Sequence, residues 1–272
     1  GGRAAGGPRR AMPPALPQSA LLLDKANALG AHLQAGVAVA PLTGRGALDV
    51  PAGAELWVEV GCNNWEMLAD ELRGRPGVQL VTFEPLIDKY AHLAAMAALD
   101  ARRIVLPFAV APRGMGEFVA LRSQNYTDFR GVAGRRFQES GASSVLRYSR
   151  GFQDHQWAGA AEQYGNFREY LVPAISLEWA VDQLLGGREI DFLKIDAQGL
   201  DYHVFASLGR HARKVRRVQM ELHTHVRHSG EVPCPEVVAR MDRSHLFRVA
   251  KGACAASDPA RHDEVDMVFV RG

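Results

Sequence analysis

Apolar positions along the chain change period several times, and each change marks an element. Leu22, Leu23, Ala26, Leu29 and Leu33 fall at helical spacing, predicting a helix over residues 19–33. After it, short runs rich in β-branched residues alternate with helical segments. Strands are predicted over 56–60, 78–83 and 103–110, helices over 67–73 and 88–99, and a short alternating strand over 116–121. The register resumes with a helix over 176–185, a strand over 190–195, a helix over 200–208 and a strand over 215–222. A helix over 235–242 and strands over 247–250 and 267–270 close the pattern.

Strand–helix alternation of this kind specifies an α/β fold. Its mostly parallel sheet is covered by helices on both faces, with ligands at the carboxyl ends of the strands. The two closing strands are too close in sequence for a crossover helix, so an antiparallel edge strand is expected. Residues 122–170 lack clear periodicity and mix nine aromatic residues with glycines, which marks an insertion or lid. Its first part carries six arginines, at 122, 130, 135, 136, 147 and 150, against Asp128 and Glu139. Residues 1–17 hold three arginines and no acid, and read as a disordered leader or a transit-peptide remnant. The expected organisation is therefore a leader over 1–17, a helical extension over 18–50 and one catalytic domain over 51–272.

Charge narrows the partners. With 32 basic and 30 acidic residues, nothing suggests a nucleic-acid or membrane-surface binder, and a small-molecule substrate is expected. The longest apolar runs are far too short to span a bilayer. Cys62, Cys234 and Cys254 are odd in number, widely spaced and without a CxxC pair. No disulfide framework or zinc site is indicated, and a reducing compartment (cytoplasm, or organelle stroma or matrix) is the default. Oligomeric state is not legible.

The candidate chemistry begins at Val58-Glu59-Val60-Gly61-Cys62-Asn63-Asn64-Trp65, where an acid precedes a glycine turn into a helix. Gly61 lets a ligand approach the backbone, and the helix offers free N–H groups. Val81-Thr82-Phe83-Glu84-Pro85 then sets a carboxylate at the end of the second strand, 84 − 59 = 25 positions later, where an acid binds ribose hydroxyls. A dinucleotide site would add G-x-G-x-x-G, but Asn63 and Trp65 interrupt that pattern. A nucleoside cofactor without a pyrophosphate fits better, and S-adenosylmethionine is of that kind. The alternative for Glu59 and Glu84 is helix capping.

These residues resemble the FkbM-type methyltransferases. The resemblance rests on Glu59-Val-Gly-Cys-Asn63, Phe83-Glu84-Pro85, Phe108-Ala109-Val110 with Gly116, Ala174-Ile-Ser-Leu-Glu178, and Asp191-Phe-Leu-Lys194-Ile-Asp196-Ala-Gln-Gly199. It implies a Rossmann-like class I methyltransferase sheet, S-adenosylmethionine as donor, and O-methylation of a small molecule or sugar. The chain departs from the family in three places: Glu59 stands for Asp, Trp65 for Gly, and Gln198 for Glu. Phe108, Ala109, Val110 and Ala111 would line the adenine pocket, and Ser143 and Ser144 look like the family's serine pair near the cofactor.

The fourth main strand delivers Lys194 and Asp196 to one face. Asp196 is the first catalytic candidate, as anchor, base or metal ligand, with an N-cap as the alternative. Glu221, His223 and His225 follow at alternate positions. His223 is a second catalytic candidate, and Glu221 and His225 are candidates for the substrate or a divalent metal. His228 lies nearby on a predicted loop. A nucleotide-dependent oxidoreductase and a non-catalytic scaffold are the rival functions.

Overall fold

A computed structural model describes residues 47–63, 65–124, 143–149, 167–255 and 264–272. The predicted 19–33 helix, the 1–17 leader and most of the aromatic insertion lie outside them. The large sheet has seven strands: β1 (Glu55–Val60), β2 (Val78–Phe83), β3 (Arg103–Leu106), β7 (Ile190–Ile195), β8 (Val215–His223), β9 (Phe247–Lys251) and β10 (Glu264–Arg271). They lie side by side as β3-β2-β1-β7-β8-β10-β9. The first five pair in parallel, while β10 runs antiparallel to both β8 and β9. The expected antiparallel edge is thus two strands deep.

Both faces of the central strands β1, β2 and β7 are buried, which is why they read as near-continuous apolar runs. On one face Trp57, Leu80 and Phe192 pack against Leu68 and Leu72, from the short helix α1 (Met67–Glu71) and the 3₁₀ turn Leu72–Gly74 after it. On the other, Val58, Val81, Phe83 and Leu193 join the main core. That core also takes in Phe205 of α4 (Asp201–Ala206) and Val237 and Met241 of α5 (Cys234–His245). Helix α2 (Ile87–Ala97) docks Tyr90 and Leu93 against Cys62 and Val105. No helix among the described residues is long and apolar enough to cross a membrane.

Several expectations are corrected. The strand predicted over 103–110 breaks after Leu106. Ala109–Val110 forms β4, which joins β5 (Phe118–Gln124) and β6 (Phe167–Ile175) in a second, three-stranded sheet ordered β4-β6-β5. Strand β6 starts inside the aperiodic 122–170 stretch and runs past it, and no strand period shows because Tyr170 and Leu171 are exposed and Pro173 interrupts the run. The helix predicted over 176–185 is α3 (Leu177–Trp179), running on as a π-helix (Ala180–Leu184). Ser176 caps it by accepting the Trp179 N–H at 3.2 Å. Cys234 and Cys254 form a disulfide, contrary to expectation. They are 20 positions apart, but the start of α5 and the chain just past β9 bring their Cα atoms to 5.6 Å. That pairing removes the ground for assuming a reducing compartment.

Candidate active site

Strand order reverses between β1 and β7, and in such sheets the ligand crevice opens at the carboxyl ends of the strands flanking that point. Glu59, Gly61, Lys194 and Asp196 all belong to those two strand ends. The turn after β1 holds Gly61 and Asn63 at φ +73° and +57°, a region that glycine and asparagine tolerate best. It closes with the Trp65 N–H donating to the Cys62 carbonyl at 3.0 Å, so the departure at Trp65 leaves the turn tight. The Trp65 side chain is 64% exposed.

Glu59 is fully buried and accepts the N–H groups of Met67 (3.0 Å) and Leu68 (3.3 Å). Its carboxylate therefore caps α1, the alternative that the sequence left open. Burial raises its carboxyl to about 7 against the opposing Lys194 charge. Glu84 is buried as well, accepting the Asn63 N–H at 3.0 Å and the Leu86 N–H at 2.9 Å. Burial also pushes it to about 7, with the Leu86 hydrogen bond the largest opposing effect. Oε2 also faces the Cys62 thiol at 4.0 Å, whereas Oε1 accepts the Leu86 N–H alone among the described residues and keeps a lone pair for a ribose hydroxyl. Asn63 Oδ1 is buried with no hydrogen-bond partner among the described residues, so it presents an acceptor for a ligand donor in the same turn. Pro85 is half-buried beside it.

A polar cluster stands at the end of β7. Lys194 Nζ lies 3.5 Å from Asp196 Oδ2 and 3.8 Å from Glu59 Oε1. Burial works against its charge, but Asp196, Glu59, Glu221 and Asp201 outweigh that and hold its pKa above the usual lysine value. Gln198 donates from Nε2 to Asp196 Oδ1 at 3.0 Å and to Glu221 Oε1 at 2.7 Å. One amide thus joins two carboxyl groups. Burial, then the Asp196 charge, raises Glu221 to about 8, whereas the Asp196 side chain is 21% exposed. Asp201, fully buried, accepts the N–H groups of Ala197 and Gly199 and braces the turn between them. Nothing in its sequence context singled it out.

Ser144 ties the insertion to this turn. Its hydroxyl donates to the Gln198 carbonyl at 2.8 Å and accepts the Leu146 N–H at 3.0 Å. The Ser143 hydroxyl lies 3.0 Å from that of Ser123. Ala109 and Val110 are buried in β4, paired with Ala174 and Ile175, and Phe108 lies in the main core.

The run Glu221–His225 divides. Glu221 joins the Asp196 cluster, whereas His223 Nδ1 sits 2.6 Å from Glu231 Oε1 in a second cluster with His228. His225 lies past the end of β8, exposed, with Nδ1 3.2 Å from the Thr224 hydroxyl, so it does not converge with Glu221 and His223 as expected. Glu231, a lone acid in a polar loop, carried no sequence signal.

A family model described as the methyltransferase FkbM domain matches residues 58–249, more than two thirds of the chain. Solved structures with similar backbones include the fibrillarin/Nop5p complex, at 10% identity and TM-score 0.40, over 82% of this chain and 75% of that one. Magnesium protoporphyrin IX methyltransferase from Synechocystis PCC 6803, with bound SAM, is 8% identical over 93% and 79%, at TM-score 0.39. The Burkholderia thailandensis 1,6-didemethyltoxoflavin-N1-methyltransferase is 10% identical over 96% and 93%, at TM-score 0.37. None of these reaches a TM-score of 0.5, so the family match carries the assignment alone. No curated protein sequence matches the chain.

Proposed function

The chain belongs to the FkbM methyltransferase family, and on that premise we propose that it methylates a hydroxyl oxygen of a small molecule or sugar, with S-adenosylmethionine as donor. The observation that carries the choice of acceptor is the Gln198 amide, which fixes Asp196 and Glu221 together at the end of β7.

The residues present fit the cofactor. Glu84 Oε1 retains a lone pair for a ribose hydroxyl, and the orphaned Asn63 Oδ1 takes a further donor. When bound, S-adenosylmethionine supplies an electrophilic sulfonium methyl for in-line displacement. The chain's task is to hold the acceptor oxygen about 3 Å from that carbon and exclude water. Asp196 takes the hydroxyl proton. Lys194 Nζ, 3.5 Å from Oδ2, and the Gln198 amide on Oδ1 together fix its orientation. A positioned base of this kind contributes roughly 10²–10⁴-fold. His223, engaged by Glu231, stands outside this arrangement. Ser144 holds the 143–149 segment against the Asp196 turn through the Gln198 carbonyl.

Calorimetric titration with S-adenosylhomocysteine and NAD tests the reading, together with transfer of labelled methyl to hydroxylated acceptors. Binding of the first ligand alone, with label on oxygen, is expected. Binding of NAD instead would favour an oxidoreductase, and binding of neither would leave a scaffold.

A further inference from the structure

The methyl-transfer reading leaves unused the polar cluster beyond the end of β8. Glu231, on the loop leading into α5, lies between two imidazoles. Its Oε1 is 2.6 Å from His223 Nδ1 and its Oε2 3.5 Å from His228 Nδ1. Oε2 also accepts the backbone N–H groups of Arg227 and His228, both at 2.9 Å, so the main chain fixes the carboxylate. The side chains of His223, His228 and Glu231 are only 1%, 2% and 5% exposed. One ligand atom from each lies within 4.8 Å of the other two.

Two features point to a missing occupant. His228 Nδ1 faces the carboxylate yet makes no hydrogen bond among the described residues. Buried polar atoms normally find a partner, because an unpaired one forfeits its hydration. The His228 ring is also held in place. It stacks on Tyr148 at 4.8 Å, and its Nδ1 would stand 2.7 Å from a Cβ added at Gly199. The donors are therefore pre-positioned.

We propose that His223, His228 and Glu231 bind one divalent first-row transition cation, zinc(II) above all. Two imidazole nitrogens and one carboxylate oxygen suit zinc, whereas magnesium and calcium take oxygen ligands. Three protein ligands leave a fourth coordination position open. The cation would tie the end of β8 to the loop before α5 and, through His228, to the Gly199 turn beside Asp196. The other group of this kind, Glu178, Asp182 and His211, is already served by cations. Arg210 lies 2.8 Å from Asp182, and Arg113 pairs with Glu178. The inference does not depend on the methyl acceptor or on the cofactor.

Tag-free protein stripped with EDTA, reloaded with zinc chloride and desalted should retain about one zinc per chain by mass spectrometry. His228→Ala and Glu231→Gln should each weaken zinc affinity by at least about tenfold, while His211→Ala should leave it unchanged. Cobalt(II) added to the unaltered protein should give the intense visible d–d bands of a four-coordinate site, a readout that does not depend on a variant folding. No retained zinc and no such bands would overturn the proposal, as would loss of zinc in His211→Ala with retention in His228→Ala.

Discussion

A Cβ on Gly61 would stand 2.0 Å from the carbonyl oxygen of Asp196. The two residues leave adjacent parallel strands, and the Asp196 N–H donates to the Val60 carbonyl at 2.9 Å. The glycine is thus demanded by the closure of β1 on β7 at the switch point. One contact sets both the cofactor turn and the proposed base.

Gly61→Ala should therefore be costly twice over. A left-handed alanine costs ~1–2 kcal/mol, and the backbone clash ~1–3 kcal/mol. Urea denaturation should show a loss of about 2–5 kcal/mol, together with weaker S-adenosylhomocysteine binding. An unchanged midpoint would mean that the strands can separate freely, contrary to this account.

Glu84 leads to a pH prediction. Its folded carboxyl, raised by burial from 4.5 to about 7, binds a proton that the unfolded chain has already released. That contribution to stability is complete below pH 4.5 and is lost as pH rises through about 7. Glu59, also near 7, adds to the same loss, and Glu221 extends it to about 8. The thermal midpoint of the unliganded protein should accordingly fall between about pH 5 and 8. Ligand hydroxyls donate to the ionised form, so S-adenosylhomocysteine should bind more tightly across that range. In Glu84→Gln the affinity should drop roughly 10- to 100-fold and lose much of its pH slope, measured by calorimetry. An equally steep slope in the variant would remove Glu84 from the cofactor site.

What was legible in the sequence follows from burial geometry. Strand β2 has all six residues buried, so its apolar run needs no partner to be recognised. Strand β6 pairs in a small sheet with its middle exposed, and its period is correspondingly lost. The acids at 59 and 84 stand out by position in the sequence, yet only the three-dimensional structure shows that Glu59 turns its oxygens to the α1 amides. Glu231 sits in a loop without period and acts on His223 eight positions away, and Asp201, at the start of α4, acts on amides four or fewer positions before it. The Cys234–Cys254 pairing depends on where β9 ends, which spacing cannot convey.

That disulfide closes a loop with a sequence separation of 20, and removing such a link costs on the order of 3 kcal/mol. Cys234→Ala with Cys254→Ala should lower the denaturation midpoint accordingly. S-adenosylhomocysteine affinity should be unchanged, since neither residue touches the β1 turn. A loss of binding equal to that in Glu84→Gln would contradict this separation.

Asp196→Asn should lower kcat by roughly 10²–10⁴-fold with little change in cofactor affinity. Glu221, raised to about 8, is protonated at neutral pH, and the Gln198 amide ties it to Asp196 beside Lys194. As Glu221 ionises, a second negative charge appears beside the base, and kcat should change through about pH 8. Glu221→Gln should erase that inflection. Steady-state profiles from pH 6 to 9 decide the matter, and an inflection that persists in the variant belongs to another group.

Gln198 supplies the sharpest test of the cluster, because it departs from the family's usual Glu. Its Nε2 carries two hydrogens and donates to both Asp196 and Glu221. In Gln198→Glu, a carboxyl group would stand about as close to each of two others. At pH 6, with Glu221 protonated, the three groups can share protons and the fold should lose little. At pH 8.5 Glu221 also ionises, the bridge has no proton left to donate, and only Lys194 balances the charges. The penalty should therefore grow with pH, to about 2–3 kcal/mol more at 8.5 than at 6 by urea denaturation. An equal loss at both pH values would show that Gln198 acts by packing alone and that its amide hydrogens do not organise Asp196 and Glu221.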